Sequence, residues 1–212
     1  SSAAALYPYF KKCAMQGLRD AAERCPAAAT FSALRPLGNR AESDMLTATN
    51  GINTHKGAIF SIGIAAAALG RLDADRRRNP TAVLAECAAM TVGLVSRDYA
   101  NLTTAKTAGQ RFYMEYGITG VRGQAEAGFP AVRNVGLPTL ETGLKQGFDN
   151  DRAGAAALLA MLCADDDTNM LARGGRAEQL RATNEVAALL AETPYPDMET
   201  LMHLDDDFIC KN

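Results

Sequence analysis

Tryptophan is absent from the chain, and aromatic residues make up only 6% of it. Binding of RNA or single-stranded DNA by base stacking therefore has little to work with. No charge is in excess either: 22 Lys+Arg against 24 Asp+Glu leave a formal −2. That balance argues against non-specific nucleic-acid binding and against a polybasic membrane surface, while leaving room for a local basic pocket. The five cysteines, Cys13, Cys25, Cys87, Cys163 and Cys210, contain no C-x-x-C pair. An odd number at wide spacing speaks against a disulfide framework or a zinc site. It makes a reducing cytoplasm the expected setting and buried small hydrophobes their expected role. No signal peptide is visible, and the most apolar run, Gly57 to Gly70, is shorter than the roughly 18 apolar residues a membrane span needs. Nucleic acid and membrane are thus not expected partners.

What is present is alanine, with apolar residues recurring at three- and four-residue steps and few β-branched runs. This is an all-α pattern. At 212 residues, a single compact multi-helix domain is expected over two small ones. The spacing predicts helices over about 3–24, 36–47, 54–69, 81–96, 105–116, 139–146, 151–163 and 176–191, with a helical tail over 197–209. Pro8 is tolerated near the first helix start, and Cys25-Pro26 ends that helix. In the third helix Ala58, Ile59, Ile62, Ala65, Ala66 and Leu69 are the expected apolar face, and Gly70 the expected cap. Arg76-Arg77-Arg78 reads as a solvated loop. No internal repeat is evident.

Three stretches can carry chemistry. In the first, Asn50 to Gly57, a Gly-bearing turn full of polar donors opens a small-residue helix. Unpaired N–H groups and the positive dipole end make a helix start an anion site. Lys56 adds a cation, while Asn53, Thr54 and His55 add side-chain donors. The plain alternative is a cap by Asn53 or Thr54, a turn at Gly51, a solvated Lys56 and a hydrogen-bonded core histidine at His55. The Lys-Gly order excludes a Walker A loop. The second stretch runs from Gly120 to Pro130. Arg122 and Glu126 stand at i and i+4, which fits a simple surface pair. It also fits an anion clamp (Arg122) with a base or metal ligand (Glu126), Gly123 and Gly128 admitting a ligand close to the backbone. The third is Asp165-Asp166-Asp167-Thr168-Asn169 with Arg173-Gly174-Gly175. Here a cap at Asp167 or Thr168 and a C-cap at Gly174 compete with a Mg²⁺ site at Asp166 and Asp167 and a further phosphate clamp at Arg173. Glu42, Asp44, His203 and Asp205 to Asp207 read as surface.

The stretch Thr49-Asn50-Gly51-Ile52-Asn53-Thr54-His55-Lys56-Gly57-Ala58-Ile59-Phe60-Ser61 closely resembles the signature of the triphosphoribosyl-dephospho-coenzyme A synthase family. Further matches follow in order: Leu102-Thr103 with Ala108-Gly109-Gln110-Arg111, then Gly120 through Pro130, then Asp167-Thr168-Asn169 through Arg173-Gly174-Gly175. The tail Leu204-Asp205, Phe208-Ile209 and Asn212 resembles the family's approach to a Ser-Pro-Gly-Gly-Ser segment. The resemblance covers nearly the whole chain. Gln124 stands where the family usually has Glu, so no catalytic role passes to it, and Asn50 stands where Gly is usual. Against the family's pattern, an N-terminal Pro- and Gly-containing segment and the C-terminal glycine-rich segment are expected to be missing here.

The resemblance implies a pentosyl transfer. The 2′-hydroxyl of 3′-dephospho-coenzyme A attacks the anomeric carbon of ATP, adenine leaves, and the triphosphate is kept. The product is the precursor of the prosthetic group of the citrate lyase acyl carrier, which a partner holo-acyl-carrier-protein synthase then attaches. The Asn-Thr-His-Lys-Gly form resembles the citrate lyase branch more than the malonate decarboxylase branch. Asn53, Thr54, Lys56, Gly57, Arg122, Gly123 and Arg173 are then expected at ATP phosphates, with Asp166 and Asp167 on Mg²⁺ and Glu126 or His55 as the base. The malonate decarboxylase counterpart, a different N-glycosidic hydrolase and a non-catalytic helical module are the alternatives the sequence leaves open, and it leaves open a homo-oligomer as well.

Overall fold

The computed structural model describes the backbone of residues 2–211 and the side chains of residues 3–208, so the Cys210 side chain, Ile209 and Asn212 fall outside the described side chains. Among the described residues every regular element is helical, as the alanine-rich 3.6-residue pattern requires. The elements are α1 (Ser2–Ala22), α2 (Ala27–Ala48), α3 (Lys56–Arg71), α4 (Pro80–Thr91), α5 (Leu94–Tyr99), α6 (Ala108–Tyr116), α7 (Gly120–Glu126), α8 (Leu137–Lys145), α9 (Asn150–Ala164), α10 (Thr168–Glu192) and α11 (Met198–Lys211). A 3₁₀ turn covers Arg76–Arg78, and a π-helical turn covers Val132–Gly136. Backbone contacts divide the chain into two compact units. The first holds α1 to α5 and residues 121–129 of the α7 segment; the second holds residues 101–120 and the chain from Pro130 onward.

In the first unit α3 is the central element, packing on α1, α2 and α4. Ile59, Ile64, Ala67 and Ala68 are buried, whereas Ile62 is 49% exposed. The apolar face expected from periodicity is therefore rotated. α3 is apolar nearly all round, so hydrophobicity cannot select its inner side. Small residues select it instead: a Cβ on Gly17 of α1 would overlap the Ala67 carbonyl, and one on Gly70 would overlap the Ala14 carbonyl. Backbone-to-backbone approach of α1 and α3 fixes the rotation, and Gly70 is a packing residue inside the helix, not its cap. Fully burying side chains such as Leu6, Ile59 and Ile64 contributes roughly 1.5–3 kcal/mol each. Arg71 closes the C-terminal end of α3: it reaches Glu86 Oε1 (2.5 Å), Thr30 Oγ1 (2.8 Å) and the Cys25 carbonyl (3.2 Å).

Two other boundaries differ from expectation. α2 starts at Ala27, not near Pro36, and carries Pro36 in its interior. Thr30, Phe31, Leu34, Ala41 and Met45 are buried along one stripe, and their burial outweighs the backbone bond that Pro36 cannot donate. The helix expected over 81–96 is broken at Val92-Gly93, where Gly93 turns left-handed (φ 71°), and α5 begins after it.

In the second unit α9 packs on α8 and α10, and α10 also touches α6. Phe148 stacks on Tyr195 at 4.9 Å, and Arg152 lies over Phe148 and donates to the Tyr195 carbonyl at 2.9 and 2.7 Å. Tyr195 in turn donates to the Thr139 carbonyl at 2.9 Å. α10 is interrupted at Gly175 (φ 77°, ψ −178°), close to the boundary expected before Arg176.

Candidate functional site

The turn ahead of α3 is built from two left-handed residues, Asn50 (φ 53°) and Gly51 (φ 87°). Asn is among the L-residues that accept this conformation, which explains its presence at a position where glycine is usual. Thr49 Oγ1 ties the turn to the Met45 carbonyl at 2.8 Å. Asn53 Oδ1 then accepts the Lys56 backbone N–H at 3.2 Å, and His55 is the N-cap residue. His55 donates its own N–H toward Met45 Sδ (3.1 Å), and its Nδ1 meets Thr54 Oγ1 at 2.7 Å. A Cβ placed on Gly57 meets no atom within 4 Å, and Gly57 has no left-handed φ. Neither packing nor backbone geometry demands a glycine there.

Lys56 Nζ lies 2.9 Å from Glu42 Oε2 on α2, with Lys56 58% and Glu42 32% exposed. Glu42 lines a cavity of about 230 Å³ inside the first unit. Tyr9, Phe31, Ile59, Phe60 and Ile64 form its apolar wall, and Arg35, Asn39, Glu42, Asp98 and Arg122 supply its polar groups. Tyr9 donates to the Ile59 carbonyl at 3.0 Å. Burial, with smaller contributions from Cys13 and Glu42, pushes its phenol well above the usual range, so it stays a protonated donor.

Asp98 sits between two guanidinium groups, taking Arg122 Nε at 2.8 Å and Arg35 Nη2 at 2.6 Å. Its side chain is 17% exposed. Burial pushes the carboxyl up, but the two arginines outweigh it and hold it below the usual carboxylate range. Burial acts on Arg122 in the opposite sense, and the Asp98 hydrogen bond overcomes it. Arg122 also lies over the Tyr99 ring at 5.5 Å.

Four residues after Arg122, Glu126 has a different task from the surface pair that its i, i+4 spacing suggests. Its Oε1 accepts the Gly93 N–H and its Oε2 the Val95 N–H, each at 2.8 Å. Both oxygens thus hold the first turn of α5. Gly123 follows Arg122 on α7 and is half-buried. Gly128 (φ 73°) is set by packing, because a Cβ there would lie 2.9 Å from the Leu84 carbonyl.

The remaining expected site residues belong to the second unit. Asp167 Oδ1 caps α10, accepting the N–H groups of Asn169 (2.7 Å) and Met170 (2.9 Å). Asp166 Oδ1 pairs with Arg176 and accepts Gln179 Nε2 at 3.0 Å. Arg173 is exposed two residues before the break at Gly175.

Arg35, Asp98 and Tyr9 are cavity residues that the sequence reading did not single out, and Glu42, expected at the surface, lines the cavity with them. A signal for four of the α2 lining positions exists: Arg35, Gly38, Asn39 and Glu42 follow i, i+3, i+4, i+7 and share one helix face. Starting α2 at Pro36 cuts Arg35 off that face.

Two cationic centres around one small cavity suit a protein that handles polyanions. No solved structure matches the chain. A family model described as CitG, ATP:dephospho-CoA triphosphoribosyl transferase, matches residues 1–212, the span of the resemblance seen at the turn before α3 and along α7. The chain belongs to this family, and it is an enzyme that transfers a triphosphoribosyl group between ATP and dephospho-CoA.

Proposed function

We propose that the cavity of the first unit receives the ribose of ATP, with Glu42 as the base that activates the attacking 2′-hydroxyl. The observation that carries this reading is the convergence of Arg35, Arg122 and Glu42 on one cavity, with Lys56 paired to Glu42 at 2.9 Å. At about 230 Å³ it is smaller than the roughly 300–1,000 Å³ of ordinary ligand pockets. It therefore takes the reacting part of the nucleotide, not the whole of it. The triphosphate tail is met by Lys56, by the α3 start at Asn53 to Gly57 and by Arg122 with Gly123, joined by Arg35.

Among the carboxylates lining the cavity, Asp98 is clamped by two arginines and held ionised, which makes it a weak proton acceptor. Glu42 faces a single lysine. Glu126 has both oxygens on backbone N–H groups. His55 belongs to the capping turn. Glu42 is thus the better base than either residue that the sequence reading offers. In the step, the 2′-oxygen of dephospho-CoA forms a bond to the anomeric carbon as the bond to adenine N9 breaks. The hydroxyl proton goes to Glu42, and the N9 electron pair leaves with adenine, which is then protonated. A single displacement of this kind inverts the anomeric centre, and Glu42 returns its proton to solvent.

Within the second unit Asp167 fits Mg²⁺ better than Asp166 does. Capping uses Asp167 Oδ1, whereas Asp166 is committed to Arg176 and Gln179. Mg²⁺ accepts one or two carboxylates together with phosphates and water, and when bound it would supply neutralising charge to phosphate oxygens. The group formed by Asp20, Glu23 and Cys25 suits it less, since a thiol is a soft ligand. The product would serve as the prosthetic-group precursor for the citrate lyase acyl carrier, with a holo-acyl-carrier-protein synthase as the next enzyme and the cytoplasm as the site of action.

The test is adenine release from ATP plus dephospho-CoA, paired with ATP binding by calorimetry. Glu42→Gln is expected to slow turnover about 10²–10⁴-fold while ATP affinity holds. Unchanged turnover removes Glu42 as the base.

A further inference from the structure

Glu126 stands 33 positions beyond the backbone it caps. α5 is only six residues long, and Gly93 at its N-cap provides no side-chain cap. So short a helix does not hold itself, because nucleation costs more than its few hydrogen bonds return. An ionised carboxylate, an acceptor at both oxygens, is well matched to two N–H groups at the positive end of a helix. Glu126 supplies that carboxylate, with 2.8 Å to Gly93 N and 2.8 Å to Val95 N.

The other end of α5 bears Asp98 and Tyr99, which receive Arg122. The guanidinium bonds Asp98 at 2.8 Å, reaches Tyr99 Oη at 3.5 Å and lies over the Tyr99 ring. Arg122 and Glu126 are one turn apart on α7, so α7 grips α5 at both ends. Asp98 then fixes Arg35 of α2 at 2.6 Å. A chain of contacts runs from Glu126 through α5 to the two arginines at the cavity.

We propose that Glu126 is a positioning residue, which holds α5 so that Asp98 keeps Arg35 and Arg122 aimed into the cavity. This rests on the reading of that cavity as the nucleotide site. It separates Glu126 from the proton transfer and makes it act through Asp98. Its removal weakens the grip on substrate phosphates, which raises KM more than it slows the chemical step.

The experiment compares Glu126→Gln, Glu126→Asp, Asp98→Asn and the Glu126→Gln/Asp98→Asn double variant of the full chain. Adenine release is followed against ATP concentration and pH. Glu126→Gln puts an amide N–H against a backbone N–H, and Glu126→Asp keeps the charge but loses reach. Glu126→Gln and Asp98→Asn are each expected to raise KM for ATP about tenfold with a smaller change in kcat, and the double variant to be no worse than the poorer single one. The acid limb of the kcat profile is expected to survive in Glu126→Gln. If Glu126→Gln does not fold, Glu126→Asp carries the test, with a raised KM for ATP expected. The proposal is overturned by an unchanged KM in the folded Glu126 variants, by losses that multiply in the double variant, or by disappearance of the acid limb, which would mark Glu126 as the base. Failure of the cavity reading looks different: Asp98→Asn and Glu42→Gln would then both leave KM and kcat at wild-type values.

Discussion

α3 and α5, both in the first unit, have their first turns satisfied in opposite ways. At α5 the protein brings in a distant carboxylate, Glu126, whose two oxygens take Gly93 and Val95 N–H groups. At α3 the cap is local and uncharged: Asn53 takes one N–H, and the space over Gly57 is open. Both helix starts attract negative charge by the same physics. One is filled from within the chain, and the other leaves room for an anion from outside. On the proposed reading the α5 start is structural and the α3 start ligand-facing, even though both stretches are rich in polar residues and glycine.

The largest difference is expected on deleting the two caps. Glu126→Ala orphans two part-buried N–H groups, at about 1–3 kcal/mol for each. Asn53→Ala removes one exposed cap bond, a loss of about 1 kcal/mol. Chemical denaturation of the two variants measures this directly. Equal losses would erase the distinction between the two helix starts.

A smaller effect, with opposite signs in its two readouts, is expected at Gly57. Since no atom stands within 4 Å of a Cβ there, Gly57→Leu replaces a poor helix former with a good one and is expected to raise stability by up to about 1 kcal/mol. The same side chain fills the space over the α3 start, and KM for ATP is expected to rise about tenfold. Stability and binding then move apart. A Gly57→Leu enzyme with wild-type KM would mean that no anion comes to this helix start.

The all-α architecture was legible because alanine content and three- and four-residue spacing act at short range. Asn53 to Gly57 and Arg122 to Glu126 were legible as places of interest because their residue types are unusual together. Their partners were not. Glu42 and Asp98 look like ordinary surface acids until α2 and α5 are laid beside α3 and α7, and the spacing of Arg122 and Glu126 suggests that they bond each other instead of the two ends of α5. The buried face of α3 was also out of reach of periodicity. Its inner side is chosen by backbone contact at Gly17 and Gly70, which hydrophobic patterning does not register.

The smallest effect expected is one of pH, and it again divides α5 from α3. Asp98, near the C-terminal end of α5, has its carboxyl held below the usual range because the hydrogen bonds of Arg122 and Arg35 outweigh its burial. A carboxyl whose pKa is lower in the folded than in the unfolded state adds stability that is fully present above the unfolded value, about 3.9. That stability is lost as pH falls through the folded value, because the unfolded chain takes up the proton first. Wild-type unfolding free energy is therefore expected to decline with acid below about pH 4 more steeply than that of Asp98→Asn, which has no proton to take up at that position. Asn53, whose side chain accepts the Lys56 N–H at the α3 start, is an amide, and Asn53→Ala is expected to leave the acid slope unchanged. Parallel slopes in wild type and Asp98→Asn would show that the two arginines do not favour the ionised carboxylate, and α5 would then lose the charge-based hold that sets it apart from α3.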